Sequence, residues 1–149
     1  ALALALLAVV PASPIELTIT SGGAWNAVAP APAVAGSDIG PSVASSTAQV
    51  VLRVRSPASS WRLDVHRVDT EWPSGLRLSA RRASDGSPPG NLTGGTSYQE
   101  VTSTAVELFR SPKARAVSSI NVQLRIDGIT ATMGVATFLT RVTYTVVEY

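Results

Sequence analysis

Residues 50–66 read VVLRVRSPASSWRLDVH. Val50, Leu52 and Val54 alternate with Val51, Arg53 and Arg55, and beyond Pro57, Trp61, Leu63 and Val65 alternate with Arg62, Asp64 and His66. A period of two sends successive side chains to opposite faces, so each half is a strand with one apolar and one largely polar face. Pro57 has no N–H to give to a ladder and closes the first strand. The pattern predicts antiparallel sheets with one wet face each and arginines turned to water.

The same period recurs on both sides of this stretch. Ile15, Leu17 and Ile19 alternate with Glu16, Thr18 and Thr20, and Gly22-Gly23 ends the run. Leu76, Leu78 and Ala80 alternate with Arg77, Ser79 and Arg81. Tyr98 to Thr102 and Val106 to Phe109 make two short strands, and Ile120, Val122, Leu124 and Ile126 alternate with Asn121, Gln123, Arg125 and Asp127. Phe138, Val142, Tyr144 and Val146 share one face of a long last strand. No amphipathic helix interrupts the series. Seven or eight strands separated by Gly/Pro/Ser turns predict an all-β antiparallel sandwich. Residues 24–46, containing PAPAVAGSDIGP, are long for a connection and leave room for a short irregular edge strand. Ser84 to Gly95, SDGSPPGNLTGG, is dense in turn chemistry and predicts an exposed loop.

At 149 residues the chain is long enough for one domain with a sizeable core and short for two. Hydrophobic residues make up 45% and charged residues 15%, with mean hydropathy +0.22, which excludes an ordinary disordered chain. Cysteine is absent, so disulfides and thiolate metal sites are excluded. A net charge of +2 is nearly balanced and gives no footprint for nucleic acid. Arg81-Arg82, the densest basic spot, is expected as a solvated strand end.

Motifs for chemistry are missing. His66 is the only histidine; Asp64 stands two residues away on the same strand face, but no flanking motif marks a nucleophile. Asp38, Asp69, Asp85 and Asp127 are scattered, without metal-ligand spacing. No glycine loop joins a strand to a helix to cradle phosphate. The reading is therefore not an enzyme, with no cofactor and no metal. Asn91-Leu92-Thr93 matches the N-glycosylation pattern, in a loop where turn chemistry alone accounts for Asn and Thr. Trp25, Trp61 and Trp72 could make a sugar platform, but Trp61 is in phase with the core and Trp72, before Pro73, is expected to cap the core or line a groove.

The first ten residues, ALALALLAVV, place Leu2, Leu4, Leu6, Ala8 and Val10 on one face of a strand and Ala1, Ala3, Ala5, Leu7 and Val9 on the other. The run is about half of what a membrane-spanning helix needs. Two readings compete: a signal-peptide core with a cleavage site at Val10-Pro11-Ala12, and an extended apolar strand that must pack against something. The absence of a basic residue before the run favours the strand.

The last residues, GVATFLTRVTYTVVEY (134–149), decide between architectures. A glycine, then an aromatic, alternating Val/Thr and a terminal tyrosine (Gly134, Phe138, Val142, Tyr144, Val146, Tyr149) resemble the closing strand of spore coat protein U and related chaperone–usher pilin subunits. The chain has none of the cysteines that many such subunits carry. The resemblance implies an incomplete immunoglobulin-like sandwich, residues 15–149, completed by an N-terminal donor strand, residues 1–14, from a neighbouring copy. Leu2, Leu4, Leu6, Ala8 and Val10 are then the donor face, and Phe138, Val142, Tyr144, Val146 and Tyr149 belong to the acceptor strand. The implied function is that of a structural subunit of an extracellular bacterial filament, a head-to-tail homopolymer, with a chaperone and an usher as export partners. It is not membrane-spanning and binds no nucleic acid. The alternatives are a secreted carbohydrate-binding or adhesion module, a small outer-membrane barrel, which the arginine-bearing strand faces disfavour, and, last, an enzyme.

Overall fold

The fold is that of a computed structural model, which describes residues 14–28, 42–130, 133 and 137–149. Among them are nine strands and no α-helix: β1 (Glu16–Ser21), β2 (Val43–Ala44), β3 (Val50–Arg55), β4 (Trp61–Glu71), β5 (Arg77–Arg82), β6 (Gln99–Val101), β7 (Val106–Ser111), β8 (Val117–Asp127) and β9 (Leu139–Glu148). All pairings are antiparallel. The larger sheet runs β1-β3-β8-β5-β6, with β2 on β8, and the smaller runs β7-β4-β9. The two sheets enclose one core: Leu52 and Val54 of β3 and Ile120 and Val122 of β8 face Trp61, Leu63 and Val65 of β4 and Phe109 of β7. These are the apolar phases of the sequence, and each residue is buried. Trp61 sits edge-on to Phe109, 6.4 Å between centroids, and its indole N–H donates to the Arg115 carbonyl at 3.0 Å. An aromatic core residue with its one polar atom satisfied is stable in that position.

Two elements run further than the alternation predicts. β4 continues past His66 to Glu71 because β9 pairs with it over nearly its whole length, from Trp61 opposite Glu148 to Glu71 opposite Leu139. β8 begins at Val117, three residues before the regular pattern. Ser119 takes a left-handed φ of 54°, and the register against β3 shifts between Leu52 and Val54. A bulge absorbs the break in period and keeps Val117 and Ile120 both inside. The long stretch after β1 contains a short edge strand, β2, whose Ala44 stands opposite Arg125.

Two surface expectations are corrected. Arg82 is buried at 5% exposure rather than a solvated strand end. It continues the inward phase of Leu78 and Ala80, and its guanidinium donates to the Gly94 and Ser84 carbonyls and to Asp85, at 2.8–2.9 Å. A buried cation is stable only when its donors are used, as here. The loop from Ser84 to Gly95 is not freely exposed either. Ser87 bridges Ser118 on the larger sheet and Thr93 bridges Arg110 on the smaller, so the loop is a strap between them. Asn91 is 3% exposed, with its amide donating to the Pro88 carbonyl at 2.9 Å. Its side chain is a structural clamp and not an accessible glycan acceptor.

Candidate functional site: an open seam between two edge strands

Each sheet has two edges. β6 and β7 lie on one side of the molecule, β1 and β9 on the other. On the first side the short 102–105 connection joins the edges, and Arg67 of β4 donates its backbone N–H to Thr102 and its Nε to the Val101 carbonyl, at 2.8 and 2.7 Å. Sheet-to-sheet bonds of this kind, one from backbone and one from a side chain, close that side.

On the other side, among the described residues, β1 pairs only with β3 and β9 only with β4. Between these two edge strands lies a cleft of about 590 Å³. Ile19, Val50, Leu124 and Ile126 form its floor on the larger sheet, Phe138, Val142 and Tyr144 its wall along β9, and Trp25 and Trp72 stand within it. Leucine-sized side chains that would be sealed in a closed domain border open space here. Ile19 is 46% and Leu139 53% exposed. The cleft is deeper toward the start of β9: Ile15, Leu17 and Val146 pack against the core at the other end and do not line it.

Local sequence builds this geometry. Gly22 has φ +75°, and a Cβ there would overlap the Gln49 carbonyl oxygen, so only glycine lets β1 end so close to the start of β3. Gln49 then holds the departing chain through a 3.0 Å bond to the Ala24 carbonyl. Trp72 is fixed by an N–H bond of 2.8 Å to the Leu76 carbonyl and by the Arg67 guanidinium, 5.5 Å from its ring centroid. Its position in the cleft agrees with its reading as a groove residue, and Trp61 lies in the core. The three tryptophans therefore do not form one platform.

The Tyr144 hydroxyl is buried in the cleft wall and has no hydrogen-bond partner among the described residues. Burial pushes its phenol well above the ordinary range, because the phenolate would be stranded in an apolar environment.

The structure treats the expected site residues unequally. Phe138, Val142 and Tyr144 come together on the cleft wall, and Val146 lies below it in the core packing. Tyr149 falls on the opposite phase of the strand: it is 52% exposed, its N–H reaches the Ser60 carbonyl at 3.0 Å, and Arg110 stacks 5.3 Å from its ring. Arg110 also grips Glu107 through two short bonds, which hold that carboxyl below the usual carboxylate range. Leu2, Leu4, Leu6, Ala8, Val10 and Gly134 lie outside the described residues. Ile19, Val50, Leu124 and Ile126 were legible as inward strand positions, but nothing in a one-dimensional pattern marks which of them border the gap.

The acid and histidine groups do not converge. Asp64 is engaged by Arg62 at 3.0 Å rather than by His66. Asp85 pairs with Arg82 and Asp127 with Arg125, at 2.8 and 2.9 Å, and Asp69 with Arg67. Asp38 lies outside the described residues. Among the described residues no three His, Cys, Asp or Glu side chains cluster to hold a metal ion, and no helix is long and apolar enough to cross a membrane.

No family model matches the chain, and the searches of curated proteins and of solved structures returned no match.

Proposed function

We propose that this chain is a structural subunit of an extracellular filament, an incomplete immunoglobulin-like sandwich that polymerises head to tail by strand donation. The observation that carries the reading is the open seam: two edge strands facing one another across an apolar cleft, with no described element between them. Unpaired edges and exposed core are a hazard for a solitary protein and a docking site for an added strand. Such a strand contributes backbone hydrogen bonds and side-chain plugs together. The alternating apolar segment at residues 1–10 has the composition to fill an apolar cleft, and the terminal strand resembles that of the pilin subunits. Donation from one copy to the next is heterologous and does not close on itself, so it builds a fibre. Export through a chaperone and an usher belongs to the same reading.

Negative-stain microscopy of the purified chain tests it. Filaments are expected, and their loss on deletion of Ala1–Val10 is expected with retention of a folded subunit. Synthetic ALALALLAVV should then raise the melting temperature of the truncated chain, because a ligand that binds the folded state stabilises it by mass action. Normal filaments from the truncated chain overturn the assignment.

A second reading, a secreted carbohydrate-binding or adhesion module, is favoured by one observation: Trp25 and Trp72 stand in the same cleft. It predicts a monomer whose tryptophan fluorescence changes on addition of a sugar.

A further inference from the structure

We propose that the chain binds a sulfate or phosphate group at one end of the larger sheet, between Arg53 and Arg55 of β3, Ser118 of β8 and Ser87 of the strap. The site is separate from the seam and stands whether or not the chain polymerises. It begins with a donor that lacks an acceptor. The Arg53 Nε is buried and, among the described residues, has no hydrogen-bond partner. A charged donor taken out of water without an acceptor is costly, so such an atom marks a place where an acceptor belongs. Arg53 borders a cavity of about 250 Å³ that is also lined by Val54, Arg55, Ser87 and residues 116–118. Five other arginines, Arg62, Arg67, Arg82, Arg110 and Arg125, each hold a carboxylate, whereas Arg53 and Arg55 make no ion pair among the described residues. Glu16 stands opposite Arg55 in the ladder, but its carboxylate accepts from the Thr18 hydroxyl instead.

Local sequence holds these groups in place. Arg53 and Arg55 flank the buried Val54, so both leave the outer face of β3, about 7 Å apart along the strand. Opposite Arg53 the β8 strand bulges, as the register passes from Leu52 against Ile120 to Val54 against Val117. The extra residue sets Ser118 and Ser119 against Arg53 alone. Ser118 and Ser87 exchange two backbone bonds, at 2.7 and 2.9 Å, and a Cβ on the neighbouring Gly86 would overlap Val117, so the strap is seated tightly here. The Ser87 hydroxyl keeps no partner among the described residues. Two non-glycine residues among those described take a left-handed φ, and both adjoin the cavity: Ser56 follows Arg55 and Ser119 follows Ser118. Strained backbone of this kind gathers where a site has to be shaped.

The donor set selects the ligand. A carboxylate offers two oxygens, and one guanidinium fork occupies both. Two forks and a hydroxyl around one cavity match an anion with its oxygens spread tetrahedrally about one centre, as in a sulfate or phosphate group. Arginine suits this task because its planar fork is always charged and reaches two oxygens at once. The cavity has room for part of the molecule that carries the group, so a free ion and an ester share the chemistry of recognition.

Isothermal titration calorimetry of the full chain, in chloride buffer at constant ionic strength, tests the site. Saturable binding of one ion per chain is expected for sodium sulfate, sodium phosphate or both, with sodium acetate at least tenfold weaker. Arg53→Gln and Arg55→Gln should each weaken that binding at least fivefold. Arg77→Gln, against the other end of β8, should leave it unchanged. Arg53→Lys keeps the charge and loses the fork, so it should fall between the native chain and Arg53→Gln, and it serves as the probe if the glutamine variant does not fold. Dextran sulfate and uncharged dextran separate the sources. Tighter binding of dextran sulfate than of inorganic sulfate, lost with Arg53 or Arg55, identifies an ester carried on a chain; dependence on these arginines for the inorganic ions alone identifies a free ion. No saturable binding of either ion, equal losses in Arg77→Gln, or acetate as tight as sulfate would overturn the proposal.

Discussion

The two sides of the molecule solve the same problem differently. Every open sheet has edges that present unpaired N–H and C=O groups. On the β6/β7 side a short connection, two bonds from Arg67 and the 84–95 strap tie the sheets together. Core residues there are sealed: Val101 is 0% and Phe109 1% exposed. On the β1/β9 side the described residues supply no such ties, and Ile19 and Leu139 are about half exposed. The same alternating sequence chemistry produces both. What differs is that on the closed side a connection of four residues, 102–105, runs directly from one edge strand to the other. The closed side is therefore where substitutions should act on stability, and the open side where they should act on assembly.

The largest expected effect is on the open side. Leu4→Asp should abolish filaments, because an unpaired carboxylate in an apolar cleft carries a large desolvation penalty. Ala3→Asp, on the opposite face of the same segment, should leave filament yield within about twofold. Fully burying a leucine is worth about 1.5–3 kcal/mol, so the face with three leucines has the greater claim on the cleft. Yields of the two variants at matched expression check the assignment, and equal yields would erase the proposed asymmetry between the faces.

On the closed side the corresponding probe is Arg82→Ala. It removes a buried stem and leaves the Gly94 and Ser84 carbonyls without their donor. A loss of about 3 kcal/mol in denaturant unfolding is expected, from lost packing and unsatisfied acceptors together. A loss below about 1 kcal/mol would mean that the strap does not hold the sheets.

The sequence shows the difference between the sides only in part. Alternation locates eight of the strands, because a half-buried strand needs a period of two and β4, β8 and β9 keep it over long runs. The expectation of a solvated Arg82 overlooks its phase with Leu78 and Ala80, which outranks the general preference of arginine for water. The strap was not legible. Ser, Gly, Pro and Asn at 84–95 serve equally a free loop and one pinned by Ser118 and Arg110, and the pinning groups are distant in sequence. The seam was not legible in the residues, since a gap between two edges is a property of sheet order and no window of residues contains it. Tyr149 shows the limit of the last strand's pattern: it is an odd-numbered position on a strand whose even positions face inward, and it stacks on Arg110 outside.

A smaller effect sharpens how the open side is shaped. Gly22 and Gly90 both have positive φ, but a Cβ at Gly90 meets open space whereas one at Gly22 meets the Gln49 carbonyl. Gly90→Ala should cost about 1 kcal/mol, the ordinary penalty for a left-handed residue. Gly22→Ala should cost about 2–3 kcal/mol, since β1 or β3 must also shift. Chemical denaturation of the pair checks this, and equal losses would show that β1 can move away from β3 without penalty.

The smallest effect concerns Tyr144, where the open side meets the core. Its hydroxyl is buried without a partner among the described residues, a penalty that Trp61 in the closed core does not carry, since its polar atom is satisfied. Tyr144→Phe should therefore be neutral or stabilising by up to about 1 kcal/mol in the isolated subunit. The pH dependence gives the sharper readout. Burial raises the phenol above its ordinary value of about 10 in the folded state, so the unfolded chain ionises first. Below that value both states hold the proton and Tyr144 adds no pH dependence. Above it the unfolded state has lost a proton that the folded state keeps, and stability falls as pH rises. Unfolding at pH 8 and pH 11 should thus show a loss in the native chain that is partly relieved in Tyr144→Phe. Equal alkaline losses in both chains would mean that the hydroxyl reaches water or a partner through the seam, and that the cleft wall is not the apolar surface an inserted strand requires.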